Sequence, residues 1–262
     1  MDFGLKGEVA LVGGASQGIG FAIARMLANE GAKVAMVARQ QARLDEAMSR
    51  VAAESGTEAI AVQGDIRRPE DCERMVDATV AHYGRLDVLV NNDGAPPLGH
   101  MLEFDDTAWE KAVQQNLMSV VRLTRRAIPH MRAQGRGRIV NITALSALQP
   151  IARFGLSVST WAGVIGYAKT LSLEVAANQI TVNTICPGRS ATGRLAKVFG
   201  SGESGEEADR KLREDMAKQI PMGRVGTLDE VAGLVAFLAS AFGGYITGAT
   251  IQVDGGRRAS VL

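Results

Sequence analysis

The chain has 262 residues, 46% of them hydrophobic, with 29 basic against 28 acidic side chains. These totals fit one large α/β domain and exclude a global field that would recruit nucleic acid or an anionic membrane, which leaves a small-molecule substrate as the expected partner. "MDFGLKGEVALVGG" holds no run suited to a signal peptide, and no later stretch has the length of a membrane span, so a cytoplasmic protein is expected.

Along the chain, short apolar runs alternate with amphipathic ones. "EVALVGG" leads into "FAIARMLANEGA", "KVAMVAR" into "DEAMSRVAAES", and "AIAVQGD" into "PEDCERMVDATVAHYG". "LDVLVNN" precedes the long helical pattern "TAWEKAVQQNLMSVVRLTRRAIPHMRAQG", "GRIVNIT" precedes "SVSTWAGVIGYAKTLSLEV", and "ITVNTIC" and "ATIQVDGG" complete the set. Each run is brief and nearly all apolar, as a strand buried on both faces of a parallel sheet must be. Strand and helix in alternation imply right-handed crossovers and a doubly wound sheet. No repeat or composition break divides the chain, so residues 1–262 are read as a single domain. "GSGESGEEADRKLREDMAKQ" reads as a mobile loop feeding a polar helix, the core of a substrate-loop segment at about 193–219.

Cys72 and Cys186 lie far apart, and His82, His100 and His130 are scattered. Neither a disulfide nor a metal site is expected from such spacing. "ALVGGASQGIG" is more informative, because it places Gly14, Gly18 and Gly20 after the first strand and at the start of the first helix. Glycines there let the backbone approach a pyrophosphate, and the free amides of the helix N-terminus face its charge. A tight strand–helix turn without a ligand is the plainer alternative.

Taken together, the Gly-x3-Gly-x-Gly spacing, "GDI" (Gly64 to Ile66), "NNDG" (Asn91 to Gly94), Asn116, "PGRSAT" (Pro187 to Thr192) and "GATIQVDGG" resemble the short-chain dehydrogenase/reductase (SDR) family over residues 5 to 256. The resemblance implies a single Rossmann-type domain with a seven-stranded parallel sheet, and NAD or NADP as cofactor. It implies that Gly14, Ser16, Gln17, Gly18, Ile19 and Gly20 line the pyrophosphate and ribose, and that Asp65 and Ile66 meet the adenine. Asn91 and Gly94 would lie on the adenosine side, with Asn91 also readable as a tie between strands. Ile185, Pro187, Gly188 and Thr192 would face the nicotinamide. Gly13 stands where the family usually has threonine, and Asp93, usually alanine, adds a carboxylate beside an anionic cofactor. The second strand ends in Ala38 and Arg39 with no acid nearby, which favours NADP (NADPH) over NAD, since a cation pairs a 2′-phosphate. A solvated Arg39 is the alternative. The "GRVGTLDEVAGLVAFLAS" helix and the "GGYITGATIQVDGG" ending resemble the family's subunit interface, implying a homo-dimer or homo-tetramer, or a hetero-oligomer.

At the catalytic end the pattern departs. The family uses a serine, a tyrosine, a lysine four residues later, and an asparagine. Asn116 matches the asparagine, whereas the other three positions fall on Ala144, Ser157 and Trp161. A phenol with pKa near 10 works near neutral pH only beside a cation, and losing such a general acid costs about a hundred- to ten-thousand-fold in rate. Trp161 either stacks near the nicotinamide ribose or fills the lysine's space. Arg153 and Arg189 are candidates to polarise a carbonyl or bind a carboxylate, and Ser146 to orient one. The chain resembles a divergent branch, similar to β-ketoacyl carrier-protein reductases, that lacks the usual residues and carries a "PGR" loop. Two functions follow: an NADP-dependent reductase of a 3-oxoacyl compound, keto acid or quinone with a substitute proton source, or a pseudoenzyme that binds nucleotide as a structural subunit. A lyase or isomerase on the same scaffold is a third.

Overall fold

The computed structural model describes residues 2–94, 96–192 and 206–261. Seven strands form one sheet, all parallel, in the order β3-β2-β1-β4-β5-β6-β7. They are β1 (Val9–Val12), β2 (Lys33–Ala38), β3 (Ala59–Gln63), β4 (Val88–Asn91), β5 (Gly137–Ile142), β6 (Ile180–Pro187) and β7 (Thr250–Val253). The order runs outward in both directions from β1, so the chain switches direction between β1 and β4. Crevices at the carboxyl ends of strands flanking such a switch are where open α/β sheets bind ligands.

Helices α1 (Gly18–Asn29), α2 (Gln41–Ser55) and α8 (Leu228–Ala239) pack on one face, where Ile23, Leu27, Leu44 and Val235 meet Val12, Met36 and Val90. On the other face α3 (Pro69–Tyr83), α5 (Ser119–Gln134) and α6 (Gly155–Val175) bury Met75, Leu123, Met131 and Leu171 against Leu11, Leu89 and Ile139. Local signals fix the helix ends. Gly56, Gly84 and Gly135 close α2, α3 and α5 in the left-handed conformation, and Thr227 and Glu230 cap α8 reciprocally.

Two expectations are refined. The long pattern 107–135 forms α4 (Asp106–Val113) and α5 joined by a π-helical turn, Gln114–Met118, with Asn116 at its centre. Such turns insert a residue into a helix and occur often at functional sites. Of the expected substrate-loop segment, residues 193–205 lie outside the described residues, and the polar helix is α7 (Glu206–Ala217).

No described helix is long and apolar enough to cross a membrane.

Candidate active site

The site is built from the carboxyl ends of β1, β4, β5 and β6. The loop after β1 is pinned from two sides: the Gly13 amide donates to the Val90 carbonyl at 3.0 Å and the Ala15 amide to Val37 at 2.9 Å. Asn92, just past β4, donates its amide to the Gly13 carbonyl at 3.0 Å. This contact leaves no space for side chains. A Cβ at Gly13 would stand 2.6 Å from the Asn92 carbonyl oxygen, and one at Gly20 would stand 2.4 Å from the Gly14 carbonyl. Gly14 also adopts φ +59°, which L side chains rarely take. The glycine at 13 is thus required by how closely β4 approaches.

Helix α1 begins at Gly18 behind an extended Gln17 whose side chain makes no cap bond. Its first-turn amides therefore point into the crevice without a capping side chain, which is the arrangement that holds a phosphate group. The Thr192 methyl reaches 3.9 Å from where a Gly18 Cβ would be, so the loop after β6 closes over the glycine loop. Ser16 and Ile19 are half-buried beside it. The site fits a dinucleotide at this end on backbone geometry alone.

At the adenine-side end, Arg39 is exposed just past β2, and its carbonyl accepts from Gln63 at 3.0 Å. It forms no ion pair among the described residues. Asp65 is engaged by the Arg67 guanidinium and by the Arg67 amide at 3.0 Å, and the Arg67 hydrogen bond holds its carboxyl below the usual range. Ile66 lines the central cleft. Asp93 is exposed at the mouth of that cleft, yet the protein massed around it strips enough hydration to push its carboxyl up to about 7. The Gly94 amide, Arg39 and Arg67 pull the other way, and Asp65 adds to the rise. Gly94 is held by Gln115, which donates to its carbonyl at 2.8 Å.

Asn91 serves as the tie between strands. It is 4% exposed, and its amide donates to Asn141 of β5 at 2.8 Å and to Thr124 of α5 at 3.2 Å. The neighbouring Asn92 is the one that grips the glycine loop, and the sequence reading missed it. The only signal was the repeated asparagine.

A cleft between β4, β5 and α6 is lined by Asn91, Asp93, Asn116, Ser119, Thr143 and Trp161, among others. Its cavity of about 20 Å³ is room for roughly one water molecule. Asn116, 3% exposed, donates to the Thr160 hydroxyl at 2.9 Å, and Thr160 donates to the Leu156 carbonyl at 2.7 Å. The Asn116 carbonyl oxygen has no partner among the described residues, and the same holds for the hydroxyls of Ser146 and Ser157, each 1% exposed. Thr143, also unremarked in the sequence, bonds the Ile185 carbonyl at 3.2 Å and meets the Cys186 sulfur at 3.1 Å.

Trp161 is 9% exposed and packs with Val120 and Val164, with Leu117, Ala144 and Ala147 against them. The indole packs in this cluster and also lines the cleft, and the small side chain at 144 belongs to the same cluster. Pro187 pairs with Val253, and the Gly188 amide donates to Val253 at 2.8 Å. Arg189 donates to Gln219 at 2.9 Å, and desolvation, then Arg257, pushes its guanidinium pKa down. Arg153 is exposed at φ +68°, its carbonyl accepting from Gly99 at 3.0 Å. That backbone conformation is costly for a side-chain-bearing residue and ties two rim loops together. No described group of His, Cys, Asp or Glu could hold a metal ion.

A doubly wound sheet with a glycine-rich turn into α1 defines a Rossmann-type protein. Residues 14–258 match the family model described as enoyl-(acyl carrier protein) reductase. The chain is 35% identical to dehydrogenase/reductase SDR family member 4 of Caenorhabditis elegans, over 97% of this chain and 96% of that one. It is 34% identical to the 3-oxoacyl acyl-carrier-protein reductase FabG of Staphylococcus epidermidis, over 94% and 97%. Among solved structures, L-sorbose reductase of Gluconobacter frateurii, complexed with NADPH and L-sorbose, superposes with a TM-score of 0.95 at 33% identity, each chain covered fully. The chain belongs to the short-chain dehydrogenase/reductase family.

Replacing Asn92 by alanine removes the bond that holds the glycine loop. Stability is expected to fall by about 1 kcal/mol in urea unfolding, and the amides of residues 13–16 should exchange hydrogen faster by mass spectrometry. Unchanged exchange there would show that the β2 and β4 backbone bonds hold the loop unaided.

Proposed function

We propose that this chain is an NADP-dependent oxidoreductase that reduces a carbonyl, of the 3-oxoacyl, keto-acid or quinone kind, at a non-standard site. The observation that carries this reading is the intact glycine loop, locked by Asn92 beside a cation at the end of β2. The relatives named above, a FabG and an NADPH-complexed reductase among them, support it. NADPH, when bound, supplies hydride. The chain's own part is to hold the cofactor phosphates on the α1 amides and Arg39, to orient the carbonyl, and to deliver a proton.

Proton delivery is where the site departs from its family. With Ala144, Ser157 and Trp161 in place of serine, tyrosine and lysine, those positions supply neither a phenol nor an ammonium. An aliphatic hydroxyl is too weak an acid to take that role unaided. We assign delivery to water held at the Asn116 carbonyl oxygen, which faces a cleft with room for one molecule. Ser157 and Ser146 are the hydroxyls available to extend such a relay. Arg189, and Arg153 at the rim, are assigned the stabilisation of developing negative charge, because a guanidinium stays cationic at every working pH. A chain that binds nucleotide without turnover, as a pseudoenzyme, is the second reading, and it is favoured by the apolar packing of Trp161 where a ribose-binding lysine would stand. Assembly into two or four copies belongs to the same proposal. It is supported by the exposed apolar side chains Leu173, Phe242 and Tyr245.

In a fluorescence titration the wild type is expected to bind NADPH, and Arg39→Ala to bind it about tenfold or more weakly, the scale of a charge-assisted hydrogen bond. NADH affinity should change little in that variant, and an equal loss for both nucleotides would refute the assignment of Arg39 to the 2′-phosphate.

Asp93 gives a second outcome with a definite sign. Its carboxyl, raised to about 7, is neutral below that pH and anionic above it. A carboxylate repels an anionic cofactor, so NADPH affinity should fall as pH rises through neutrality. Asp93→Asn should bind more tightly at alkaline pH and lose that part of the slope, and parallel profiles for the two proteins would contradict the reading.

A further inference from the structure

The carboxyl ends of β6 and β7 gather three arginines that the reaction outlined above does not fully use. Arg189 follows the Pro187–Gly188 turn, and Arg257 and Arg258 follow the turn after β7. The two turns are packed together: the Gly188 amide donates to Val253 at 2.8 Å, and a Cβ on Gly188 would stand 2.8 Å from the Asp254 Cα. All three arginines are half-buried. Arg189 donates to Gln219 at 2.9 Å, and Arg258 donates to Gln252 at 3.0 Å and to Ser260 at 2.9 Å. Asp254, the acid nearest in sequence, accepts from the Gly256 amide at 2.9 Å and the Arg258 amide at 2.8 Å, so it shapes the turn. Among the described residues, Arg257 and Arg258 form no ion pair with a carboxylate.

The cluster is joined to the loop that leads from the cleft. The Ala259 amide donates to Gln149 at 3.2 Å, which lays the C-terminal segment on the loop that follows β5. That loop carries Ser146 and follows Thr143, a residue of the cleft lining. Arg258 also bears electrostatically on Cys186, whose sulfur meets Thr143. Each guanidinium presents a planar fork matched to a carboxylate or phosphate.

We propose that Arg257 and Arg258, together with Arg189, form a subsite for an anionic group that the substrate carries apart from its reacting carbonyl. The substrate class is therefore an oxo compound bearing a carboxylate or a phosphate. The inference rests on the carbonyl-reductase reading only for what is reduced, since anion binding is measurable without turnover.

Calorimetric titration of the full chain, free and NADPH-saturated, tests it with three probes: 3-oxobutanoate, its uncharged methyl ester, and a 3-oxobutanoyl thioester of phosphopantetheine. At least one anionic probe should bind about tenfold or more tightly than the ester. The double variant Arg257→Ala, Arg258→Ala should erase that preference while leaving NADPH affinity unchanged. Replacement of both by lysine should restore it in part, because charge returns without the fork. A preference for 3-oxobutanoate identifies a carboxylate, and one for the thioester a phosphate. Equal binding of acid, thioester and ester, a preference that survives the double variant, or displacement of the anion by NADPH would each overturn the subsite. A wild type that binds the anions but no NADPH would keep the subsite and remove the reductase reading, so the two failures are distinguishable.

Discussion

The closeness of β4 to the glycine loop is the constraint on which the nucleotide end depends. Asn92 brings its backbone and its amide so near the β1–α1 turn that Gly13 and Gly20 have no space for a methyl group, and this contact aligns the α1 amides with the crevice. A single backbone approach thus fixes the loop, the start of α1 and the floor of the cleft. Parallel strands make it possible, because β1 and β4 are hydrogen-bonded neighbours ending at the same level. Asn91, one residue earlier and pointing the other way, ties β4 to β5 and α5 and so carries the same rigidity toward the catalytic side.

The catalytic end shows a different kind of economy. Trp161 and Ala144 belong to one apolar cluster with Val120 and Val164. Burying an indole stabilises a core by roughly 3–5 kcal/mol, judged from truncation to alanine. What packing does not explain is the polar remainder. The buried hydroxyls of Ser146 and Ser157 and the Asn116 carbonyl lack protein partners among the described residues, and buried polar groups of that kind are ordinarily met by water or ligand. The cleft thus combines an apolar cluster at Trp161 with a polar wall at Asn116 and Thr143.

Much of this was legible beforehand. All seven strands stood out as short apolar runs, most clearly β1, β4 and β6, which are buried at every residue and have no exposed face to interrupt them. The glycine spacing marked the tight turn into α1, since few residue types can occupy it. Less visible was anything decided by a neighbour distant in the chain. The π turn at Asn116 leaves the hydrophobic period almost unchanged, so residues 107–135 read as one continuous pattern. The roles of Asn91 and Asn92 depend on which side of β4 each faces, and periodicity assigns that only once the sheet's neighbours are known. Whether Trp161 stacks or fills could not be told from its spacing, because both uses require the same helical face. The gathering of Arg189 with Arg257 and Arg258 joins positions nearly seventy residues apart in the sequence, with no local motif to announce it.

The central proposal is that this chain transfers hydride and takes its proton from water rather than from a phenol. The most direct test is isotope transfer. The purified protein is incubated with NADPH deuterated at the reactive nicotinamide carbon and with a panel of oxo acids, 3-oxoacyl thioesters and quinones, and the products are read by mass spectrometry. The account predicts deuterium at the carbinol carbon of an alcohol product, or quinol formed as NADPH is oxidised where a quinone is the acceptor, and loss of that product in Asn116→Ala with NADPH binding retained. NADPH that binds tightly yet gives neither labelled alcohol nor quinol with any member of the panel would contradict it and leave a nucleotide-binding subunit in its place.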